Sequence, residues 1–368
     1  MKKKNLCKTL VKTICIVLGI LILALLAYIV YLYASYYRIE DNQELVVEAP
    51  VDDTTTGAAA VLATDTEYSA VTYNIGFGAY LPDYSFFMDG GTSSWAESPE
   101  TVQYAINGAG ELVKSLDPDF ALIQEIDLDA TRSYHTDEYE MLRNLLPEYT
   151  TVFAQNYDSA FLFYPFTQPH GSSRAGLGLF SKYPVSSALR RSFPISTSFS
   201  KFFDLDRCYS VSRIPVDNGK ELVIFNLHMS AYGNSDAIRK GQIEMLCNDM
   251  AKEYEAENYV LCGGDFNHDL KASEEDTESC ESWAFPFPRT ELPEHFAFCL
   301  DLLSSEEQAA LWNSARNADM EYVPGVTYTV TLDGFIISDN IECLSYENVN
   351  TGYSYSDHDP VKVEFVLK

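Results

Sequence analysis

Side chains that could bind a metal ion or a phosphate follow several strand-like runs of this sequence. The clearest case is CGGDFNHD, residues 262–269, in which an apolar run leads into two glycines and then into acids, an amide and an imidazole. Turns use the same residue types, so this run alone does not separate a turn from a site. Asp265 and Asn267 are two positions apart, and on an extended backbone they would point to the same side.

Four further strand-like runs end in the same way. Their last polar residues are Asn74, Glu125, His228, and Asp357 together with His358. A turn, a helix cap or a hydrogen-bonded core histidine would explain any one of them. Together they predict a ligand site, because such sites gather where strands end and loops begin.

The elements that would position these side chains are many strands and a few long helices. Helices are predicted over residues 98–115, where Ser98 is the N-cap and Pro99 the first helical residue, and over residues 236–257. This pattern predicts two β-sheets packed together, with helices on the outer faces. Strands are predicted over residues 70–75, 119–125, 149–155, 176–182, 208–216, 221–228, 258–265, 326–330, 333–338 and 361–367.

The N-terminal segment has the pattern of a membrane anchor. Residues 1–12 contain five lysines and no acid, and residues 13–37 form an apolar run of 25 residues without a charge. About 20 apolar residues cross a bilayer, so residues 1–38 are predicted to be an uncleaved signal anchor, with a cleaved signal peptide as the alternative. The lysines before the span predict a cytoplasmic N-terminus and an extracytoplasmic remainder at the cell membrane.

The rest of the chain is strongly acidic. Residues 39–68 are acidic and rich in Thr and Ala, which predicts a linker, and residues 69–368 are predicted to be the folded domain. From Ile39 onward there are 19 basic and 54 acidic residues, a net charge of −35. Such a surface gains nothing from counterion release on nucleic acid, which disfavours a tight nucleic-acid binder but leaves a weak, metal-bridged nuclease open.

The cysteines do not form a metal-binding pattern. The eight cysteines show no CxxC or CxxH spacing, which argues against zinc. An extracytoplasmic location permits disulfides, but the sequence does not give their pairing. Cys208, Cys262 and Cys343 lie in strand-like runs, and buried free thiols are the preferred interpretation.

Six motifs stand in the order found in a known superfamily. TYNIG (72–76), IQEID (123–127), NLHMSA (226–231), GGDFN (263–267), TLDGFIIS (331–338) and SDHDPV (356–361) resemble the endonuclease/exonuclease/phosphatase (DNase-I-like) superfamily over about residues 69–368. NLHMSA resembles the bacterial sphingomyelinase and phosphatase branches more than the DNA-repair branch. The resemblance implies a four-layer α/β sandwich and cleavage of phosphate esters that depends on Mg²⁺, or on Mn²⁺ or another divalent cation.

The resemblance also implies metal-binding and water-activating roles. Glu125 would be the main Mg²⁺ ligand, and Asn74 would assist through its amide oxygen or a water molecule. Asp357 would lie on the metal side. Asp265 would orient or deprotonate the attacking water, and Asn267 would hold a phosphate oxygen.

Two histidines complete the set that the resemblance implies. His358, paired with Asp333, would act as base or stabilise the transition state, and His228 would protonate the leaving oxygen. Tyr157 and Arg174 lie where relatives place residues that steady the phosphate. His170, His268 and Asp269 are assigned to loops or turns instead. Gly334 follows Asp333 at a position where relatives often have an aromatic residue. The smaller glycine could widen the pocket.

These expectations favour a membrane-anchored, extracytoplasmic Mg²⁺-dependent phosphoesterase. Its substrate would be a phosphodiester or phosphomonoester, in a lipid head group or a small sugar or inositol phosphate. The alternatives are an extracellular nuclease of the same superfamily and a catalytically inactive, surface-tethered binding protein. An inactive protein would have lost a ligand residue, and none is missing. WAFPFP (283–288) could contact lipid, although packing on its own domain is the preferred interpretation, and no protein partner is indicated.

Overall fold

The computed structural model describes residues 2–52, 61–202, 204–231, 236–273 and 284–368. These residues form two units, Met1–Arg38 and Ile39–Lys368. The first unit is one helix, α1 (Lys2–Ser35), and its part Cys7–Ser35 is long and apolar enough to cross a membrane. Its length and composition are those of a membrane anchor or a signal sequence.

Strands make up most of the regular structure of the second unit. The helices of its described residues are α2 (Pro99–Leu116), α3 (Glu138–Leu145), α4 (Asp236–Glu255) and α5 (Ser305–Ala310). The strands are β1 (Gln43–Glu44), β2 (Val47–Glu48), β3 (Glu67–Asn74), β4 (Phe120–Ala130), β5 (Thr150–Asp158), β6 (Ser173–Ser181), β7 (Ser187–Ser192), β8 (Cys208–Pro215), β9 (Glu221–His228), β10 (Tyr259–Asp265), β11 (Phe296–Phe298), β12 (Ala315–Arg316), β13 (Thr329–Val330), β14 (Asp333–Ser338), β15 (Ile341–Asn348) and β16 (Val361–Leu367).

Most of these strands belong to two seven-stranded sheets within the described part of the chain. One sheet has the order β1-β7-β8-β9-β10-β14-β11, and the other has the order β15-β16-β3-β4-β6-β5-β2. The pairs β3–β4 and β9–β10 are parallel, and the other pairs in these sheets are antiparallel. The predicted fold of two mainly antiparallel sheets flanked by helices is confirmed.

Strand β4 shows why its sequence is a continuous apolar run. Phe120 and Leu122 lie in the core that also contains residues of β9, β10 and β16, whereas Ala121 and Ile123 pack with residues of α2 and α3. Successive side chains of a strand point to opposite faces. Both faces of β4 are therefore buried, one against the other sheet and one under helices.

The helices begin largely where the sequence predicts. Ser98 caps α2 by accepting a hydrogen bond from the Thr101 N–H, and Pro99 occupies the first turn. Such a cap satisfies an N–H that has no partner inside the helix. Ile243, Leu246 and Met250 of α4 are buried in the core that also contains residues of β9 and β10.

Six strands escaped prediction, namely β1, β2, β7, β11, β12 and β15, and one predicted strand is shorter than expected. β7 contains Arg190, which is buried because its guanidinium donates to the carbonyls of Gln155 and Asp206. β15 alternates polar and apolar residues at a sheet edge. The strand predicted over residues 326–330 is reduced to β13.

The segment predicted to be a linker is partly bound to the domain. The Ile39 N–H donates to Asp206 over 2.8 Å, β1 pairs with β7, and β2 pairs with β5. Leu62 is fully buried in the core. Residues 39–52 and 61–68 therefore differ from a free tether, and residues 53–60 lie outside the described residues.

The acidic and proline-rich loop predicted after β10 lies partly outside the described residues, at 274–283. In the remainder, Ala284 and Phe287 are buried and Phe285 is exposed. This agrees with WAFPFP packing mainly on its own domain. No disulfide occurs among the described cysteines. Cys208 and Cys262 are buried thiols as expected, whereas Cys343 at the sheet edge is only partly buried.

Candidate active site

The ends of three neighbouring strands bring three predicted site residues together. Asp265 is the last residue of β10, and it pairs with His228 at the end of parallel β9 and with Asp333 at the start of antiparallel β14. All three side chains are buried. One end of this sheet therefore carries a carboxylate between an imidazole and a second carboxylate.

Asn74 connects this group to the other sheet. It ends β3, and its Nδ2 donates to Oδ2 of Asp265 over 3.0 Å and to Oε1 of Glu125 over 3.1 Å. Its Oδ1 accepts a hydrogen bond from the Gly76 N–H over 3.0 Å. One amide thus fixes a carboxylate from each sheet.

The backbone is strained where two of these side chains enter the site. Glu125 has φ 55° inside β4, where the pairing with β6 shifts register between Ile123 and Ile126. Asn267 has φ 50°, its N–H donates to Asp265 over 2.8 Å, and its Nδ2 donates to the Met229 carbonyl over 2.9 Å. Bulges re-aim side chains, and positive φ costs on the order of 1–3 kcal/mol per residue.

Gly264 explains why glycine precedes Asp265. Its φ is +148°, and a Cβ at this position would lie 2.1 Å from the Leu227 carbonyl oxygen. Any larger residue would push β10 away from β9. The pairing that aligns Asp265 with His228 therefore requires glycine here.

His358 and Asp333 form a buried charged pair. His358 Nδ1 lies 2.7 Å from Oδ2 of Asp333, which also accepts a hydrogen bond from Ser314 Oγ over 2.7 Å. Burial alone would lower the pKa of His358, but the Asp333 carboxylate raises this pKa well above its ordinary value. His358 is therefore an imidazolium at neutral pH, and its Nε2 lies 3.9 Å from Oδ2 of Asp265.

The other two titrating groups have opposite tendencies. The pKa of Asp265 is raised to about 7, because burial and the negative charge of Asp333 together outweigh the opposing charge of His358. Burial, followed by the charge of Arg207, lowers the pKa of His228 well below its ordinary value. His228 is therefore neutral near pH 7. Its Nε2 lies 3.5 Å from Oδ2 of Asp265 and 3.8 Å from Oε1 of Glu125.

A cavity of about 700 Å³ opens onto these groups. This volume suits a small-molecule ligand. Its wall combines the predicted site with a large aromatic surface. The polar lining includes Glu125, His228, Asp265, Asn267, Asp357 and His358, and the aromatic lining includes Phe77, Tyr80, Phe86, Phe87, Tyr157 and Tyr164.

Residues 71–302 match the model of the Endonuclease/Exonuclease/phosphatase family. This match covers more than half of the chain. The chain belongs to the endonuclease/exonuclease/phosphatase family. Members of this family are metal-dependent hydrolases of phosphate esters.

Solved structures of other family proteins have the same fold. The endonuclease/exonuclease/phosphatase from Beutenbergia cavernae DSM 12333 superposes with a TM-score of 0.55 at 14% identity, over 82% of this chain and 72% of that chain. D. rerio TDP2, complexed with single strand DNA product, gives 0.54 at 14%, over 82% and 99%.

ANGEL2, a 2′,3′-cyclic phosphatase in complex with adenosine-2′,3′-vanadate, gives a TM-score of 0.56 at 12% identity, over 82% of this chain and 96% of that chain. Such low identities establish the fold alone. These neighbours do not select a branch of the superfamily. A search of curated sequences found no significant match.

The acidic groups fit the divalent cation that this family uses. The pKa of Asp357 is raised to about 6, because burial and the charge of Glu125 outweigh the opposing charges of His358 and Arg316. A cation beside both carboxylates would remove this mutual repulsion. Asp265, Asp333 and His358 also offer ligand atoms within 4.8 Å of one another, although the imidazolium form of His358 cannot ligate a metal.

The orientation of Asn74 bears on its predicted role. Its amide oxygen is already bonded to Gly76, and its NH₂ group faces the two carboxylates. In this arrangement Asn74 would assist the metal through the position of Glu125 or through a water molecule. A direct bond from its oxygen would require the amide to turn over.

The two predicted phosphate-steadying residues separate in the structure. Tyr157 is buried and lines the cavity. Arg174 pairs with Asp129 over 3.1 Å, and its side chain is 53% exposed. Arg174 is not among the residues that line the cavity.

The residues assigned to turns behave as expected. The Asp269 carboxylate accepts from the N–H groups of Lys271 and Ala272. His268 Nδ1 lies 2.6 Å from the Phe266 carbonyl. His170 lines the cavity but packs against Phe86 and Phe87 rather than reaching the acids.

The sequence analysis missed four cavity or supporting residues. Ser314 orients Asp333, and the arginines Arg132, Arg207 and Arg316 line the cavity. These residues lie outside the motifs that carried the resemblance. The three arginines could have been found from the charge balance of the sequence. Few basic residues occur in so acidic a domain, so each one is a candidate for binding an anion.

Proposed function

We propose that this protein is a membrane-anchored, extracytoplasmic, Mg²⁺-dependent phosphoesterase. It hydrolyses a phosphodiester or phosphomonoester, in a lipid head group or a small sugar or inositol phosphate, by attack of water. The observation that carries the proposal is the charged His358–Asp333 pair facing Asp265 across 3.9 Å in the wall of the cavity. This arrangement places a cation and a tunable carboxylate where a phosphate can bind.

Asp265 serves as the residue that orients and deprotonates water. Its pKa of about 7 lets it be ionised in a large fraction of molecules at neutral pH and still accept a proton efficiently. The hydrogen bonds from Asn74 and from the Asn267 N–H fix both carboxylate oxygens. A fixed carboxylate lowers the entropy that orienting the water would otherwise cost.

His358 and Asn267 stabilise the phosphate. The imidazolium charge of His358, maintained by Asp333, offsets negative charge on the phosphate oxygens in the transition state. Asn267 keeps one N–H of Nδ2 available, since the other donates to Met229. Both side chains line the cavity.

His228 lies beside the leaving oxygen in this proposal. Its lowered pKa makes it neutral at neutral pH, so it must gain a proton before it can act as an acid. A phosphate anion beside it would raise its pKa, and Asp265 is 3.5 Å away as a source of the proton. The proton removed from water by Asp265 can thus reach the leaving oxygen through His228.

Glu125 and Asp357 would hold the Mg²⁺ ion, with Asn74 positioning Glu125. When bound, the ion would neutralise phosphate charge and polarise the bond to the leaving oxygen. The Ser356 hydroxyl contacts Asp357 over 3.3 Å and the Asn74 carbonyl over 2.8 Å, and so links the two ligand segments.

The N-terminal helix supports the membrane location. The part Cys7–Ser35 of α1 is long and apolar enough to cross a membrane. For an enzyme anchored in this way, a lipid head group is a suitable substrate.

The cavity wall and the surface charge support the substrate class. An aromatic wall favours a substrate with an apolar part beside its phosphate. The charge of −35 from Ile39 onward disfavours extended nucleic acid. An extracellular nuclease and an inactive tethered binding protein are therefore outcomes that the experiment must separate.

The test uses the full chain in detergent micelles and in lipid nanodiscs. It is assayed against a choline phospholipid, an inositol phosphate, a simple aryl phosphate and single-stranded DNA, with Mg²⁺ or with EDTA. Asp265→Asn is the inactive variant, and Asp269→Asn in the same loop is the matched control. Mg²⁺-dependent turnover of lipid or small phosphate, lost only in Asp265→Asn, supports the proposal.

Two other results would contradict the proposed function. Turnover of DNA alone would identify a nuclease. No turnover of any substrate with several divalent metals would favour the binding protein.

A further inference from the structure

Arg207 has an unusual position in the cavity wall. Its residue is 7% exposed and lines the cavity, and its Nε and Nη1 are buried without a hydrogen-bond partner. No described carboxylate forms an ion pair with it. Arg132, another cavity arginine, instead donates to both carboxylate oxygens of Asp127 over 2.8 and 3.1 Å.

A buried guanidinium without a partner is costly for a folded protein. Removing a charge from water is unfavourable unless an opposite charge or hydrogen bonds compensate. Arg190, which is even less exposed, has such compensation from the carbonyls of Gln155 and Asp206. Arg207 lines the cavity instead, so a ligand there can supply the missing acceptor once the guanidinium turns toward it.

The strand register locates Arg207 on one side of the site. Tyr209 of β8 pairs with Leu227 of β9, so Arg207 and His228 lie at the same end of adjacent strands. The effect of the Arg207 charge on the pKa of His228 agrees with this position. Arg316 lies elsewhere in the wall, where its charge acts on Asp357.

We propose that Arg207 forms an anion subsite on the His228 side of the cavity, which binds an anionic oxygen of the substrate. This inference rests on the proposed function, because it deepens the description of that substrate. A guanidinium fork suits two oxygens of a phosphate or carboxylate. The oxygen belongs either to the phosphate that is cleaved or to a second anionic group on the leaving side.

The first test measures binding of inorganic phosphate to the full chain in detergent with Mg²⁺, by calorimetry and by thermal unfolding. Arg207→Gln is compared with Arg213→Gln, which changes an arginine outside the cavity lining that pairs with Glu221 and Glu253. We expect phosphate affinity to fall about 10- to 100-fold in Arg207→Gln alone. Without phosphate, this variant should be at least as stable as the wild type, because an uncompensated buried charge has been removed.

Wild-type phosphate affinity in Arg207→Gln would overturn the inference. So would a loss of thermal stability without a loss of phosphate affinity, since that result assigns Arg207 a structural role. If Arg207→Gln does not fold, Arg207→Lys keeps the charge and loses the fork. It should then show weakened phosphate binding at near wild-type stability.

The second test separates the two sources of the oxygen. Turnover of 4-carboxyphenyl phosphate is compared with that of 4-carbamoylphenyl phosphate, which has a neutral leaving group of similar shape. An equal fall of kcat/KM for both substrates in Arg207→Gln assigns the subsite to the cleaved phosphate. A fall for the carboxylate substrate alone assigns it to a second anion, and no fall for either contradicts the inference.

The two proposals fail in different ways. Absence of turnover with intact, Arg207-dependent phosphate binding would contradict the phosphoesterase function and leave the anion subsite standing. Turnover that is independent of Arg207, with unchanged phosphate binding, would do the reverse.

Discussion

His358 Nδ1 lies 2.7 Å from Asp333 Oδ2, and this buried pair joins the start of β14 to the loop that precedes β16. The contact holds the pKa of His358 well above its ordinary value against the opposing effect of burial. A histidine whose pKa is raised in the native state contributes to native stability, and this contribution is fully present below the ordinary pKa of histidine. This contribution is lost as pH rises through the native pKa.

Replacing Asp333 with Asn should therefore move the alkaline limb of the pH–activity profile to lower pH. We expect kcat near neutral pH to fall by about 10²- to 10⁴-fold, because His358 then loses its charge. The measurement is kcat against pH for Asp333→Asn beside Asp339→Asn, which changes an exposed acid directly after the other end of β14. An unshifted alkaline limb would show that His358 need not be charged.

Replacing Glu125 with Gln should weaken the response to Mg²⁺. Outer partners of metal ligands are worth about 10- to 100-fold in affinity or activity, so a direct ligand should cost about 100-fold or more. We expect Mg²⁺ to raise the unfolding temperature of the wild type and to have little effect on that of Glu125→Gln. Glu140→Gln on α3 is the control, and an equal Mg²⁺ response in all three proteins would contradict the assignment.

Glu125→Gln should also be more stable than the wild type at pH 7 without metal. The pKa of Asp357, about 6, is raised in the native state, so this acid lowers native stability as pH rises from its ordinary pKa to about 6. Removing the neighbouring charge relieves part of this cost. Urea unfolding at pH 4 and pH 7 in EDTA measures the effect, which should appear only at the higher pH.

Gly264→Ala should destabilise the protein far more than Gly219→Ala. A Cβ at Gly264 would lie 2.1 Å from a carbonyl oxygen, whereas at Gly219, which also has positive φ, nothing lies within 4 Å. We expect a loss of about 3 kcal/mol or more in the free energy of unfolding at Gly264 and about 1 kcal/mol at Gly219. Equal losses, measured by urea unfolding, would contradict the close approach of β10 to β9.

His170 should make the protein sensitive to acid. Burial, followed by the charge of Arg132, lowers the pKa of His170 to about 3. Its neutral form stabilises the native state above the ordinary pKa of about 6.5, and stability falls by about 1.4 kcal/mol per pH unit below it. His170→Gln should flatten this slope between pH 6 and pH 4, and an unchanged slope would show that another group controls it.

The sequence predicted the centre of the site better than its periphery. Asn74, His228, Asp265 and Asp333 lie together because each ends or begins a strand whose apolar pattern is strong. Glu125 was predicted to end its strand but lies at an irregularity inside β4, and His358 lies in the loop before β16. The same apolar runs also predicted the strands β3, β9 and β10, which are central to the fold. A run of apolar residues indicates which strands are buried, and the site lies near the ends of these strands.

The remaining features depended on contacts that a single sequence does not encode. The charge of Arg190 suggests that β7 is exposed. Arg190 is nevertheless buried, because its guanidinium donates hydrogen bonds to carbonyls of distant segments. Residues 39–52 have the composition of a linker, but backbone pairing at two sheet edges binds them. Arg174 and Arg207 differ in role only because one faces Asp129 and the other faces the cavity.

The most direct test of the central claim is the rate at which the full chain releases the aryl alcohol from a simple aryl phosphodiester, measured as Mg²⁺ is titrated from zero. Wild type, Asp265→Asn and Asp269→Asn are compared. The account predicts saturable, Mg²⁺-dependent turnover in the wild type and in Asp269→Asn, with a loss of at least about 100-fold in Asp265→Asn. Equal turnover in all three proteins, or turnover that persists in EDTA, would contradict catalysis at this site.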